Sequence, residues 1–133
     1  MLRARVGFHV DETHKIVTVR YIGAIDGDEI VPQVLDGFAG LERPWDYDCI
    51  WDMTRHQGRI DIRDNEILGR GWQELCGGRD TGRRTAVVSS DALIDARLTV
   101  SQRLFPFRTI ALFGTLESAR AWLGEPRADS SAA

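Results

Sequence analysis

Hydrophobic and polar positions alternate over residues 5–10, with Val6, Phe8 and Val10 on one side and Arg5, Gly7 and His9 on the other. The same period of two returns over residues 15–22, where Val17, Val19 and Tyr21 share a side. Such alternation marks half-buried strands, and the polar stretch Asp11-Glu12-Thr13-His14 between them is of hairpin length. The chain is therefore predicted to open as an antiparallel hairpin. From residue 26 the period lengthens, and Ile30, Val34, Leu35, Phe38 and Leu41 recur at helical spacing. Asp26 or Asp28 is the expected cap, and acids in the first turn suit the positive end of the helix dipole. Pro32 is tolerated only near that first turn, and Gly40 followed by Pro44 ends the helix.

Residues 47–53, Tyr47-Asp48-Cys49-Ile50-Trp51-Asp52-Met53, form an apolar run of buried-strand length. Residues 61–76 read as a helix with Ile67, Leu68, Trp72 and Leu75 inward, although Gly69 and Gly71 each cost it roughly 1 kcal/mol. Residues 84–89 are the clearest parallel-type strand. Ser90 or Asp91 then caps a helix to about Leu104 with Ile94, Leu98 and Phe105 in one row, and Pro106 closes it. Thr109–Phe113 is a further apolar strand, and Thr115 caps a last helix that turns Leu116, Ala119, Trp122 and Leu123 inward. The order β-β-α-β-α-β-α-β-α predicts an α/β fold: a mixed sheet of about five strands, parallel except for the N-terminal hairpin. Residues 1–124 are expected to form one domain and residues 125–133, polar and small, a flexible tail.

Length, composition and charge narrow the class. A chain of 133 residues, 43% hydrophobic and 28% charged, buries enough surface to fold without a metal or disulfide. Cys49 and Cys76 are accordingly expected to be free thiols. No window approaches 18 consecutive apolar residues, and the N-terminus lacks the apolar core of a signal peptide. The 17 basic residues are 16 arginines and Lys15, interleaved with 20 acids for a net charge of −3. That balance argues against nucleic-acid binding, and the arginine bias suits a GC-rich bacterial genome and the cytoplasm. Gly77 to Gly82 has the spacing of a phosphate loop, but it precedes a strand and leads into Arg83-Arg84, so it reads as a flexible turn. His9, His14 and His56 have no ligand-like spacing, and no metal or cofactor is expected.

The opening hairpin, Ile50-Trp51-Asp52-Met53, Ala86-Val87-Val88-Ser89 and Ala96-Arg97 follow one another in a recognisable order. The most specific stretch is the ending, Ile110-Ala111-Leu112-Phe113 followed by Thr115-Leu116-Glu117-Ser118-Ala119-Arg120-Ala121-Trp122-Leu123. This set resembles the SpoIIAA-like (STAS-like) superfamily, and within it the small bacterial proteins labelled STAS/SEC14-domain, over about residues 5–124. The resemblance implies a β-α superhelix and a regulator that works through protein partners. In the best-understood relatives a kinase-like anti-sigma partner phosphorylates a serine after the third strand, in an Asp-Ser-Ser-Gly-type motif. Here that region reads Asp52 to Asp61 without the motif, and Asp61-Ile62-Arg63-Asp64 stands where the serine is expected.

The loop 54–61 is expected at the C-terminal end of a central parallel strand, where open α/β sheets place their ligands. It gathers Asp52, Thr54, Arg55, His56 and Arg59 into a candidate partner or ligand surface, with Thr54 as a phosphoacceptor. The plainer alternative makes Asp52 and Thr54 loop-organising hydrogen bonders and His56 a solvated side chain. Acid–base chemistry would pair His56 with Asp52 or Asp61, but no nucleophile motif surrounds Ser89-Ser90 and no catalytic residue is assigned. Trp45, Trp51, Trp72, Phe105, Phe107 and Trp122 either line an apolar pocket or belong to the core, Trp45 and Trp72 being the more exposed candidates. An empty pocket of about 300 Å³ would cost about 7 kcal/mol at roughly 24 cal/mol per Å³, comparable with the whole stability of a domain, about 5–15 kcal/mol. A groove or dimer interface is therefore favoured over a large internal cavity. The function expected is a non-enzymatic STAS-like regulatory or protein-interaction module, homodimeric and with a further protein partner. The alternatives are a small apolar-ligand or lipid binder and a small enzyme using His56.

Overall fold

In the computed structural model, which describes residues 3–126, the chain runs β1 (Arg5–Asp11), β2 (Ile16–Gly23), α1 (Gly27–Ala39) and a 3-10 turn at Pro44–Asp46. It continues through β3 (Asp48–His56), α2 (Ile62–Cys76), β4 (Arg84–Val88), α3 (Ala92–Leu104), β5 (Thr109–Phe113) and α4 (Leu116–Leu123). The five strands form one sheet in chain order, β1 antiparallel to β2 and the rest parallel. The predicted hairpin and element order are thus present.

Period-two patterning divides the sheet into two faces. Val17, Val19, Tyr21, Cys49, Trp51 and Val87 point to one, where they meet Ile30, Val34 and Phe38 of α1 and Leu68, Trp72 and Cys76 of α2. Ile94 of α3 and Phe105 pack on the same cluster. Ile50, Ala86 and Val88 point the other way, against Ala119 and Leu123 of α4. Three helices therefore line one face, and α4 covers the β3–β5 half of the other.

Several boundaries differ from the sequence reading. β3 runs three residues past Met53 because β2 continues beside it, with Ile22 opposite Arg55 and Gly23 opposite His56. A register shift between Arg20 and Ile22 absorbs the extra β3 residue. Thr54, Arg55 and His56 are thus strand residues, and the loop is only residues 57–61. Pro32 stands in the second turn of α1, beyond the expected position, since the helix already starts where Glu29 and Ile30 donate to the Asp26 carbonyl. None of the residues of α3 is buried, and its expected inner row is only half-buried. At the start of the segment expected as a tail, Arg84 donates to the carbonyls of Glu125 and Pro126 at 3.2 and 3.3 Å. The remainder of that tail, 127–133, lies outside the described residues.

Candidate functional site

Asp52 lies on the face opposite the large core, between Trp51 and Met53, and is 6% exposed. Its Oδ1 accepts from the Thr54 backbone N–H at 3.0 Å and from Thr54 Oγ1 at 2.7 Å. Its Oδ2 accepts from Arg20 Nε at 3.3 Å, across the β2–β3 ladder. A buried carboxylate is tolerable only when its oxygens are satisfied, and here the strand bulge and Arg20 satisfy them. Thr54 and Arg55 are left exposed on the surface, with the threonine hydroxyl already donating to Asp52.

His56 points to the other face. Its ring stands edge-on to Tyr21 with centroids 5.5 Å apart, and its Nε2 lies 2.6 Å from the Ile25 carbonyl oxygen. A carbonyl only accepts, so Nε2 carries the proton. Neither Asp52 nor Asp61 is its partner. Asp61 instead opens α2, where its N–H donates to Asp64 Oδ2 at 2.9 Å. Below His56, Trp51 Nε1 donates to Tyr21 Oη at 2.6 Å, and burial pushes the Tyr21 phenol up.

Arg59 is fixed through its backbone. Its N–H donates to Asp26 Oδ1 at 2.8 Å and its carbonyl accepts from Gly27 N–H at 2.8 Å. It shares a polar surface cleft of about 280 Å³ with Asp26, Gly27, Asp28, Asp61 and Asp64. The fold thus brings Asp52, Thr54 and Arg55 to one patch and Arg59 to a neighbouring, mostly acidic one. Arg20 and Asp26 were not among the expected residues. The outward phase of Arg20 in an alternating strand is the signal that could have found it.

The tryptophans do not join this site. Trp72 is 2% exposed and donates Nε1 to Asp80 Oδ2 at 2.8 Å, which overturns its expected exposure. Its ring is packed edge-on against Phe38 of α1, with centroids 4.6 Å apart. Trp51 is core. Trp45 is half-buried under the Arg79 guanidinium at 3.7 Å, in the turn before β3 and so at the opposite end of that strand. A cavity of about 60 Å³ lies against Trp51, Met53, Leu68, Trp72, Phe105 and Ile110.

A second polar cluster fills that opposite end. Arg108 is 3% exposed and donates Nε to Asp80 Oδ2 at 2.8 Å, Nη1 to Cys49 Sγ at 3.0 Å and Thr85 Oγ1 at 2.9 Å, and Nη2 to the Tyr47 carbonyl at 2.8 Å. The supposedly flexible turn 77–82 is anchored by this pair, Asp80 being 2% exposed. Cys49 and Cys76 beside it are free and buried. Among the described residues, no group of three or more His, Cys, Asp or Glu side chains is placed to hold a metal ion. No helix among them is long and apolar enough to cross a membrane.

No family model and no curated protein matches this chain. Solved structures do. An uncharacterized protein of the DUF3478 family from Shewanella loihica PV-4, with a SpoIIAA-like fold, superposes with a TM-score of 0.60 over 92% of this chain and 95% of that one, at 16% identity. The anti-sigma factor antagonist SpoIIAA in its unphosphorylated form superposes with a TM-score of 0.57 over 90% and 97%, also at 16% identity. The chain has a SpoIIAA-like, STAS-like fold.

Proposed function

We propose that the protein is a non-enzymatic STAS-like module of the bacterial cytoplasm, with residues 1–124 as one domain that acts through protein contacts and as a homodimer. The observation that carries this reading is the patch at the C-terminal end of β3. Asp52 is spent on Arg20 and Thr54 and His56 on a backbone carbonyl, while Thr54, Arg55 and Arg59 face outward. The exposed Arg55 above a rigid strand end, with Arg59 on the rim of the neighbouring acidic cleft, suits a partner surface that offers both acidic and basic groups. The Asp-Ser-Ser-Gly switch is replaced by a carboxylate-capped helix start at Asp61, so Thr54 is the phosphoacceptor candidate of this patch.

The test is quantitative affinity capture from native lysate with wild type, R55E/R59E and T54E, each checked for unchanged circular dichroism. A protein retained by wild type and lost at least tenfold with R55E/R59E supports the reading. Equal capture by all three, or turnover of a substrate abolished by His56→Ala, overturns it. A second reading, an apolar small molecule or lipid, is favoured by the aromatic-lined cavity beside Trp51 and Trp72. Its 60 Å³ is well below the roughly 150 Å³ that admits a benzene-sized guest. That reading therefore requires the lightly packed α3 to lift, and native mass spectrometry after lipid titration checks it.

A further inference from the structure

We infer that β1 is the edge through which two copies of this chain join, paired antiparallel about a two-fold axis at Phe8. The inference deepens the homodimer proposed above and rests on that part of the reading alone. Among the described residues β1 has a strand neighbour on one side only, so alternate N–H and C=O groups along its other edge have no ladder partner there. Natural edges are blunted by proline, charged side chains or a bulge. β1, Arg5-Val6-Gly7-Phe8-His9-Val10-Asp11, has no proline or bulge and carries its formal charges, Arg5 and Asp11, only at its two ends, and its ladder with β2 runs without a register shift from Arg5 opposite Ile22 to Asp11 opposite Ile16.

The strand is self-complementary when laid against itself in reverse. Phe8 meets Phe8 of the second copy, Val6 meets Val10, Gly7 meets His9, and Arg5 meets Asp11, each pair occurring twice except the first. Val6, Phe8 and Val10 share the helix-lined face and are only half-buried, whereas Val17, Val19 and Tyr21 of the adjacent strand are at most 2% exposed. A second β1 would cover the apolar surface still showing there. Arg5 and Asp11 share the opposite face, beyond the reach of α4 over β3–β5. Among the described residues the exposed Arg5 guanidinium has no hydrogen-bond or ion-pair partner. Asp11 holds the His14 N–H at 3.1 Å and Nδ1 at 2.9 Å, and a carboxylate retains lone pairs for a further donor. Sliding the pairing by two residues, the smallest step that keeps like faces together, reduces the overlap to residues 5–9 or 7–11 and parts Arg5 from Asp11. The other edge, β5, is five residues long and contains no charge.

Sedimentation velocity over a concentration series tests this with wild type, R5D, D11R and R5D/D11R. Wild type is expected to dimerise. Each single reversal places like charges opposite each other twice per dimer and weakens it about tenfold or more. The double reversal is expected to restore most of that loss. Should D11R disturb the turn at His14, R5D alters an exposed, unpartnered side chain and keeps the test open, with circular dichroism as the control for folding. A dimer indifferent to R5D lies on another surface and overturns this inference while leaving self-association standing. A monomer at every concentration overturns both, and neither outcome bears on the Arg55–Arg59 patch.

Discussion

Cys49 and Cys76 show how burial sets the chemistry of single residues. Both are free and fully out of solvent. Desolvation pushes the Cys76 thiol up to about 12 from its ordinary 9.0, and the Asp80 carboxylate beside it pushes the same way. Burial also raises Cys49, against the pull of Arg108. The thiolate is the reactive form, so both side chains belong to the core rather than to redox chemistry. The sign of the stability effect follows. The folded state keeps the Cys76 proton to higher pH than the unfolded chain does, so its contribution is complete below pH 9 and drains as pH rises from 9.0 towards about 12. Denaturant midpoints measured up an alkaline series should therefore fall, and the fall should be shallower in Cys76→Ala. Tyr21 and Tyr47 are raised too, by burial and by the Glu12 hydrogen bond respectively, so the wild-type fall contains them as well. The variant isolates the thiol, and identical alkaline slopes in the two proteins would refute its assignment.

At the scale of elements, the site is made by two loops pressed together. A Cβ on Gly58 would sit 2.0 Å from the Ile25 carbonyl oxygen and 2.8 Å from Asp26 Oδ1. That close approach is what lets Gly27 N–H reach Arg59 O, Arg59 N–H reach Asp26 and His56 reach Ile25 O. Gly58→Ala must part the β3–α2 loop from the start of α1. The expected loss is about 1–3 kcal/mol in urea unfolding, and a change within about 0.5 kcal/mol, as for a neutral surface site, would show that the contact is not needed. Every strand and α-helix of this fold is legible in the sequence, because each carries its own period and its own cap or stop. What depends on a neighbour is not. The length of β3 is decided by β2 alongside it, and the exposure of Trp72 by Phe38 and Asp80. The candidate site was legible as a place, the end of β3, but not as a set of bonds. Asp52 is committed to Arg20, which lies 32 positions earlier in the chain, and no local pattern announces such a pair.

Arg108 acts on the whole molecule. Its guanidinium joins the chain before β3 (Tyr47), β3 itself (Cys49), the turn after α2 (Asp80) and β4 (Thr85), and it stands over the Trp72 ring at 4.9 Å. It thereby clamps the end of the sheet opposite the candidate site, one residue before β5 begins. Burial alone would disfavour the cation, but Cys49 and Asp80 against it outweigh that and keep it charged. A pair of this kind stabilises little relative to an apolar core of the same shape, yet breaking one half strands the other charge. Arg108→Ala is therefore expected to cost about 3–5 kcal/mol, a large share of the roughly 5–15 kcal/mol available to a domain. Because the contacts reach four separate segments, unfolding followed by tryptophan fluorescence and by far-ultraviolet circular dichroism should shift together. Asp80→Ala in the Arg108→Ala background should cost less than it does alone, since the second change removes the stranded carboxylate. A loss below about 1 kcal/mol for Arg108→Ala, the size of a single ordinary hydrogen bond, would mean that water reaches Asp80 and that the clamp is local.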